Sequence, residues 1–402
     1  RRRAAPQARL AGQTAVLGLD GRGAGAQSGR GDLRIQCRGL QTGIVGLPNV
    51  GKSSLFNALC ENSKAEAANF PFCTIEPNIG KVKVPDNRLY ELAEMAGSEK
   101  IVPEMIEYVD IAGLVKGASK GEGLGNKFLT NIRMTDAIVH VVRCFDDENV
   151  IHVDGNVNPR RDIETINLEL VFADLDQVER RMKKVAKDAL QKAKGAAEEK
   201  EALDKIIAML MEGKPARNVE LTDKQKPIVK QLNLITMKPM IYAGNVSEEE
   251  LAKGNAFFDV VKEVAAETGD QAVMVSAQVE GELAGLDAEE KKEYLAELGV
   301  EESGCESLTR ASYKLLGLRT YFTVGPKEAH AWTIREGWKA PRAAGVIHTD
   351  FEDGFIKVEA IGFQDLLEAG SEDGARSKGK MRIEGKDYVV QEGDVMHFRF
   401  RD

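Results

Sequence analysis

The chain has 402 residues, of which 43% are hydrophobic, and it carries 55 Lys and Arg against 64 Asp and Glu. Its first 40 residues hold eight Arg and two Asp, so the remaining body has 47 basic against 62 acidic residues, a net charge of -15. Such an acidic body excludes nonspecific binding to nucleic acid, which needs a broad basic surface. No apolar run approaches the roughly 20 residues that a membrane-spanning helix needs, so we expect a soluble protein of cytoplasmic type without a membrane partner.

Two features of the sequence bear on the compartment in which the protein works. Residues 1–40 are rich in Arg, Gly and Ala and contain no Lys or Glu, a composition typical of transit peptides for the chloroplast or mitochondrion. A disordered tail, or upstream sequence from a gene model, is an equal alternative for this leader. The cysteines are odd in number and lack metal-ligand spacing, which predicts a reducing compartment. They are Cys37, Cys60, Cys73, Cys144 and Cys305.

A glycine-bounded loop with the pattern Gly-x4-Gly-Lys-Ser occupies residues 46–53, between a short apolar strand and a helix. In such a loop the backbone N–H groups turn inward around phosphate oxygens, and the helix points its positive end at the same anion. Lys52 is expected to reach the outer phosphates, and the Ser53 hydroxyl to hold Mg²⁺. The predicted nucleotide contacts of this phosphate loop are Asn49, Val50, Gly51, Lys52, Ser53 and Ser54.

Two later stretches are typical of a switch that senses the terminal phosphate. Residues 68–78 contain two prolines and are predicted to form a loop, and Thr74 within them is a predicted metal ligand. A hydrophobic strand then ends in Asp110, whose carboxylate is expected to orient the water shell of Mg²⁺, and Gly113 leaves its N–H free for the third phosphate. The glycine-dense residues 116–126 are predicted to form a second, mobile switch.

Two histidines follow the switch stretches. The β-branched run of residues 137–143 predicts a buried parallel strand, so His140 within it is interpreted as a satisfied core residue. His152 lies beyond the end of that strand, in a segment that can approach the nucleotide. With an unperturbed pKa of about 6.5 it is a candidate to orient or deprotonate the attacking water. A structural imidazole is an equal alternative for His152.

The middle of the chain has the pattern of a helical hairpin. Residues 162–194 contain no Gly or Pro, and their apolar positions recur at alternating spacings of four and three, the seam of a coiled coil. Gly195 interrupts this helix, and the apolar positions of residues 203–210 continue on a second one, which predicts an antiparallel pair. The seam positions are Val171, Leu175, Val178, Met182, Val185 and Ala189.

Two polar turns that follow predicted strands stand where GTPases read the base with Asn-Lys-x-Asp and Ser-Ala-x. The first turn departs from that pattern, because Val246 replaces Lys and Glu248 replaces Asp. Guanine offers two adjacent donors to a correctly placed Asp, whereas adenine offers one donor beside an acceptor. Weakened selection of guanine is therefore predicted. The predicted base contacts are Asn245, Val246, Glu248, Ser276 and Ala277.

The last eighty residues are rich in predicted strands. Mixed strands around one short helix, residues 363–367, suggest a small β-grasp domain. Its scattered cations are candidates for RNA contact, although scattered charges more often form a solvated face. These cations are Lys339, Arg342, His348 and Lys357.

Together these residues resemble the Obg-like ATPases of the YchF type, a branch of the translation-factor-related P-loop NTPases. The resemblance rests on residues 46–53, 69–78 and 110–123 and on Asn245-x-x-Glu248, and it extends from about residue 43 to the end. It implies an α/β fold in which a P-loop NTPase domain carries an inserted antiparallel coiled-coil hairpin and precedes a C-terminal β-grasp domain of the TGS type.

The resemblance also implies a function, an ATP-hydrolysing switch that prefers ATP to GTP and couples nucleotide state to ribosome binding. The implied partners are ATP and the ribosome, as large subunit or whole particle, with its RNA, and we expect a monomer. The implied metal ligands are Ser53, Thr74 and Asp110, for Mg²⁺. A conventional GTPase, and a nucleotide-gated module that binds ribosome or RNA with incidental turnover, remain alternatives.

The implied catalytic residues are Lys52, Asn49 and His152. In many GTPases a Gln that follows Asp-x-x-Gly orients the water, but here that position is Leu114, which has no donor or acceptor. Slow intrinsic turnover is expected unless another group takes over. In related cation-dependent members an Asn at the position of Asn49 helps to hold K⁺, and a His at the position of His152 is implicated in hydrolysis.

The predicted domains follow from these assignments. They are a leader over residues 1–40, the first part of the nucleotide domain over 41–160, the helical insertion over 161–235, the second part of the nucleotide domain over 236–317 and the C-terminal domain over 318–402.

Overall fold

The computed structural model describes residues 40–67, 79–111, 124–153 and 155–401, without the side chains of residues 61–67 and 124–127. Several predictions fall outside the described residues: the leader, Cys37, Cys73, Thr74, Gly113, Leu114 and residues 116–123 of the second switch.

The described strands form two six-stranded sheets. In chain order the strands are β1 (Gln41–Val45), β2 (Ile79–Lys83), β3 (Lys100–Val102), β4 (Met105–Asp110), β5 (Ala137–Arg143), β6 (Met240–Asn245), β7 (Gln271–Val275), β8 (Leu318–Val324), β9 (Glu328–Arg335), β10 (Phe355–Gly362), β11 (Arg382–Glu384) and β12 (Asp394–Phe400).

The α-helices of the described residues are α1 (Lys52–Ala67), α2 (Asn87–Ala96), α3 (Leu124–Met134), α4 (Pro159–Leu190), α5 (Ala196–Met211), α6 (Gln225–Lys230), α7 (Ala256–Thr268), α8 (Ala277–Leu283), α9 (Ala288–Leu298), α10 (Gly304–Leu315), α11 (Ala340–Ile347), α12 (Thr349–Asp353), α13 (Phe363–Ala369) and α14 (Glu372–Ser377). Across the described ranges, each helix is too short or too polar to cross a lipid bilayer. Residues 124–126 were predicted to belong to a mobile switch, but they form the start of α3.

The first sheet, here called the nucleotide sheet, has the order β2-β4-β1-β5-β6-β7. All its pairs are parallel except that of β2 with β4. Every residue of β5 is buried, as expected for a parallel strand that is covered on both faces. In such sheets ligands bind beyond the carboxyl ends of the strands. The candidate residues follow β1, β4, β5, β6 and β7, so the sheet brings them to one edge.

Helices α4 and α5 form the predicted antiparallel hairpin. Gly195, with a left-handed φ of 80°, begins α5 after a short turn. The seam positions Val171, Val178 and Val185 are buried, and they share a hydrophobic cluster with Leu203 and Ile206 of α5. The 3.5-residue periodicity of the sequence therefore located the face on which these helices pack.

The second sheet, here called the C-terminal sheet, has the order β11-β10-β12-β8-β9-β3. Strand β3 reaches it from far upstream in the chain and pairs in parallel with β9, with Lys100 opposite Glu328. Leu89 and Leu92 of α2 are buried in the same cluster as Phe322 of β8. Residues 87–102 were predicted to belong to the first part of the nucleotide domain, but they pack with the C-terminal sheet.

The C-terminal region contains four described helices, α11 to α14, rather than the single predicted one. Helix α11 carries Pro341 in its first turn, where the missing N–H costs no helical hydrogen bond. Its buried residues Ala340, Ala343 and Ala344 pack against Tyr321 and Phe355. No helix was predicted from the sequence in this stretch, and the packing of α11 against the C-terminal sheet now accounts for the helix. The fold class itself, an α/β P-loop domain with an inserted helical hairpin and a C-terminal domain, is confirmed.

Candidate functional site

The carboxyl edge of the nucleotide sheet gathers the candidate residues. Strand β1 ends at Val45 and runs into the phosphate loop, while β4 ends in Asp110. Strand β5 ends in Arg143, and β6 and β7 end in Asn245 and Val275, which lie opposite each other. Parallel register therefore places the phosphate loop, Asp110 and both polar turns at one end of one sheet.

The two glycines of the phosphate loop are required for close approach. A Cβ on Gly46 would lie 2.5 Å from the carbonyl oxygen of Val141, and a Cβ on Gly51 would lie 2.4 Å from Nδ2 of Asn245. Gly51 also has a left-handed φ of 92°, a conformation that glycine adopts without steric cost. Any side chain at either position would push the loop away from β5 or β6.

Lys52 begins α1 and is 7% exposed. Its Nζ donates to the carbonyl oxygen of Leu47 at 2.6 Å, across the base of the phosphate loop. Burial lowers the pKa of Lys52 to about 8, while the nearby charge of Asp110 acts in the opposite direction. The ammonium group is therefore poorly solvated and is held against the backbone of the phosphate loop.

Ser53 and Asp110 face each other in front of the loop. The Ser53 hydroxyl donates to Oδ2 of Asp110 at 3.3 Å. The other carboxylate oxygen, Oδ1, is buried and has no hydrogen-bond partner among the described residues. Ser54 is exposed beside them, and Val50 is buried under the loop.

Asn245 ties the two polar turns to the phosphate loop. Its Nδ2 donates to the carbonyl oxygen of Val50 at 3.0 Å, and its Oδ1 accepts from the backbone N–H of Ala277 at 2.9 Å. The amide thus fixes the distance between the phosphate loop and the start of α8. A direct contact of Asn245 with a base stays a prediction.

The other predicted base residues surround this bridge. Val246 is 2% exposed and donates its backbone N–H to Val275 at 2.9 Å, so its side chain belongs to the core. Ser276 is fully buried before α8, and its hydroxyl has no partner in the described part of the chain. Glu248 begins a short 3-10 turn, Glu248–Glu250, and its Oε1 accepts from the hydroxyl of Tyr294 at 3.2 Å.

The segment after β5 lies against the phosphate loop. The Nδ2 of Asn49 donates to the carbonyl oxygen of Ile151 at 3.1 Å, and Asn49 itself has a left-handed φ of 60°. The next residue, His152, is buried, and its Nε2 lies 2.9 Å from Oδ2 of Asp162 on α4. The segment therefore does approach the loop, but the imidazole is paired with a carboxylate of the helical insertion.

Arg143, the last residue of β5, donates hydrogen bonds to the same segment. Its guanidinium is almost fully buried and donates to the carbonyl oxygens of Phe145, Asp147 and Val150 at 3.1, 3.2 and 2.8 Å. Three charge-assisted hydrogen bonds fix the turn that carries His152. A cation at the end of an apolar strand was the available signal for this role, and sequence reasoning missed it.

His140 is a core residue, but not a satisfied one. Its ring lies 5.5 Å from that of Tyr242, and its Nδ1 is buried without a partner among the described residues. Burial lowers the pKa of His140 to about 3, and the positive charge of Lys52 acts in the same direction. His140 is therefore a neutral residue of the sheet.

Comparison with known proteins places this geometry in a family. The family model described as 50S ribosome-binding GTPase matches residues 41–174, and the model YchF-GTPase_C, described as a protein of unknown function, matches residues 318–401. The Ribosome-binding ATPase YchF of Bacillus subtilis is 55% identical over 363 residues, which cover 90% of this chain and 99% of the relative. The protein of the same name from Escherichia coli O157:H7 is 54% identical over 362 residues, with the same coverage.

A solved structure agrees with the sequence relatives. The Schizosaccharomyces pombe YchF GTPase has a TM-score of 0.82 and 39% sequence identity to this chain, and the match covers 90% of this chain and 98% of that one. Identity at this level over nearly the whole length of each relative requires a common fold and a common ancestor. The chain belongs to the YchF family of P-loop proteins.

Proposed function

We propose that the protein is an ATP-hydrolysing molecular switch that binds ATP with Mg²⁺ at the phosphate loop and couples nucleotide state to ribosome binding. The enzyme is a P-loop nucleoside triphosphate hydrolase, as its family and its P-loop domain indicate. One observation carries the proposal: Lys52 lies buried behind a glycine-bounded loop, and Ser53 faces Asp110 in front of it.

The chain's own residues provide positioning and charge for phosphoryl transfer. The backbone of residues 46–53 and the positive end of α1 would hold the phosphates. Lys52 gains a partner when a phosphate enters, so we expect its pKa of about 8 to rise on binding. A Lys52→Ala variant should lose on the order of a hundredfold or more of its turnover, and Lys253→Ala, at an exposed position, is the control.

Oxygen donors suit Mg²⁺, which needs only a few protein ligands beside water and phosphate oxygens. The unpaired Oδ1 of Asp110 and the adjacent Ser53 hydroxyl support a metal position there, with Thr74 as the further predicted ligand. No cluster of three or more His, Cys, Asp or Glu side chains with metal-site geometry is found in the described ranges. When bound, Mg²⁺ would neutralise charge on the phosphates.

Asn49 supports a second proposed cation. Its amide nitrogen is engaged by Ile151, which leaves the amide oxygen as the ligand atom for K⁺. Replacing K⁺ by Na⁺ at constant ionic strength should lower the turnover of the wild type, and an Asn49→Ala variant should lose this difference. Equal rates in the two salts would remove K⁺ from the proposal.

ATP is the proposed nucleotide, and GTP is the second candidate because one matching family model and the matching solved structure carry GTPase in their names. Equilibrium titrations with ATP and GTP separate the two. Since Val246 is a core residue, a Lys there would be buried, and Glu248→Asp is the cleaner single test. It should move the preference toward GTP, whereas Glu249→Asp, at an exposed neighbouring position, should not. Equal or reversed dissociation constants in the wild type would overturn ATP selection.

The order of elements supports coupling between the nucleotide and the C-terminal sheet. The predicted first switch, residues 68–78, directly precedes β2 in the nucleotide sheet. Helix α2 and strand β3 follow β2 and pack into the C-terminal sheet. A displacement that begins at the switch therefore has a short covalent path to the C-terminal sheet. It can change the packing of α2 and the pairing of β3 with β9.

Ribosome binding is proposed because the relatives are named ribosome-binding ATPases. Deletion of residues 318–402 is a poor test, since it would uncover the edge of β3 and the apolar face of α2. Charge reversal at Lys339, which is 56% exposed and pairs with Asp387, and at Arg342, which stacks on Trp338, keeps the core intact. Both variants should weaken co-sedimentation with ribosomes, and Lys262→Glu on α7 is the control.

Turnover and binding are separated by a nonhydrolysable ATP analogue. Full ribosome engagement with the analogue, followed by release only after hydrolysis of ATP, supports a switch. Equal engagement and equal release with both nucleotides would favour a nucleotide-gated binding module. Sedimentation velocity on the same preparations tests the expected monomer.

A further inference from the structure

The phenol of Tyr294 lies between two carboxylates, one in the first polar turn and one on the helix that follows the second turn. Its hydroxyl donates toward Oε1 of Glu248 at 3.2 Å and makes a short hydrogen bond with Oε2 of Glu282. Glu248 follows β6 and Glu282 lies on α8, while Tyr294 comes from α9. One hydroxyl therefore connects three elements at the edge where the base is proposed to bind.

These elements are otherwise well fixed. Helix α8 is anchored at its start by the hydrogen bond from Ala277 to Asn245. Helix α9 begins with a capping box between Asp287 and Glu290, and the ring of Tyr294 packs against the main core cluster. The phenol is thus held in place on a rigid scaffold rather than on a free loop, as a positioning residue requires.

We propose that Tyr294 is a specificity-positioning residue that occupies one oxygen of Glu248 and so favours adenine over guanine. The inference rests on the proposed function, in which Glu248 faces the base. Its chemistry is a matter of counting donors and acceptors. Two adjacent guanine donors need both oxygens of the carboxylate, and a hydroxyl that donates to one of these oxygens competes with guanine there, whereas the single exocyclic amine of adenine needs only the other oxygen.

Glu282 competes with Glu248 for the hydrogen bond that the Tyr294 hydroxyl donates. The hydrogen bond to Glu282, burial and the charges of both carboxylates raise the pKa of Tyr294 well above its ordinary value, so the phenol keeps its proton. The two carboxylates compete for that one proton, which can be donated fully to only one of them at a time. Glu282 also accepts from Nε2 of Gln278 at 3.4 Å. Removing the charge of Glu282 should therefore shift the hydroxyl toward Glu248.

Two variants with opposite expected effects test the proposal. Tyr294→Phe keeps the packed ring and removes the hydroxyl, which frees both oxygens of Glu248. The ratio of the GTP to the ATP dissociation constant should fall by roughly fivefold, chiefly because GTP binds better, as is reasonable for a partly exposed hydrogen bond to a charged group. Glu282→Gln should increase that ratio, because Glu248 then becomes the better acceptor of the Tyr294 proton. Tyr90→Phe, in the exposed part of α2, is the matched control.

A double-mutant cycle separates this role from a structural one. In a Glu248→Gln background, Tyr294→Phe should no longer change the nucleotide ratio, because the carboxylate it acts on is gone. Thermal denaturation of all variants reports folding independently. If wild type prefers ATP and neither Tyr294→Phe nor Glu282→Gln moves the ratio, or both lower it equally, the role of Tyr294 is overturned and the proposed function stands. If wild type does not prefer ATP, both are overturned.

Discussion

The two sheets of this protein differ in the length and burial of their strands and in where these strands lie in the sequence. Apart from β2, the nucleotide sheet consists of parallel strands of five to seven residues, and those at its centre are fully buried. The C-terminal sheet takes its edge strand β3 from more than two hundred residues upstream, and this strand has three residues, of which only Val102 is buried. A continuous apolar run identifies a central parallel strand, whereas a short exposed edge strand leaves no such trace.

The difference has a thermodynamic consequence. Since α2 and β3 pack into the C-terminal sheet, the stability of that sheet depends on residues from the nucleotide half of the chain. The two Trp residues of the sequence are Trp332 in β9 and Trp338 just beyond it, and both pack against a hydrophobic cluster of this second sheet. Tryptophan fluorescence therefore reports on the C-terminal sheet, and nucleotide turnover reports on the other one.

The largest expected effect comes from α2. Leu92 has no exposed surface and packs in the cluster that includes Phe322 and Val395. Leu92→Ala should destabilise the C-terminal sheet by about 3 kcal/mol, through lost burial and the cavity left behind. Urea unfolding followed by tryptophan fluorescence measures this loss, and Leu190→Ala, at a position that is 85% exposed, is the control. An unchanged midpoint in Leu92→Ala would show that α2 is not part of the C-terminal unit.

The same contrast explains what could be predicted from the sequence. The phosphate loop was located because its glycines and lysine have the fixed spacing of a known motif and follow an apolar strand, and Asp110 was located because it ends another one. Arg143 contacts carbonyl groups of residues that follow it closely, and its local signal, a cation at the end of an apolar strand, was missed. The contact of Tyr294 with Glu248 joins residues that are far apart in the chain, so it depends on the tertiary fold. No hydrophobic periodicity in the sequence indicates such a long-range contact. No helix was predicted for residues 340–347, where α11 lies.

An intermediate effect is expected at the junction of the two sheets. Glu104, just before β4, accepts from the backbone N–H of Thr333 in β9 at 3.2 Å. Burial raises the pKa of Glu104 to about 7, partly offset by its hydrogen bonds. A carboxyl whose folded pKa is raised stabilises the fold at low pH, and this contribution is lost as pH rises from its unfolded pKa of 4.5 toward 7.

Glu104→Gln keeps the acceptor and removes the titration. The variant should be as stable as wild type near pH 4.5 and more stable by about 2 kcal/mol at pH 8. Fluorescence-detected unfolding across this pH range provides the measurement, with Glu99→Gln, an exposed neighbour, as the control. Parallel stability curves for Glu104→Gln and wild type would mean that the carboxyl does not titrate between these values. Nucleotide turnover at pH 8 should not change, because Glu104 lies away from the carboxyl edge of β4.

The smallest expected effect belongs to the nucleotide sheet and should appear in turnover alone. His152 pairs with Asp162 in a buried site, but Asp162 also accepts from Arg161 at 3.0 Å, so removing the imidazole does not leave the carboxylate without a cation. We therefore expect His152→Ala to lower ATP turnover by on the order of tenfold while ATP affinity stays within a few-fold, the pattern of a group used only in the transition state. The unfolding midpoint measured by tryptophan fluorescence should not move, since His152 is remote from the C-terminal sheet.

Val153→Ala, at the half-exposed next position, is the control within the same segment. Single-turnover rates and equilibrium binding on the same preparations decide the matter: an unchanged rate removes His152 from catalysis, and a matching loss of affinity makes its pairing with Asp162 a purely structural contact.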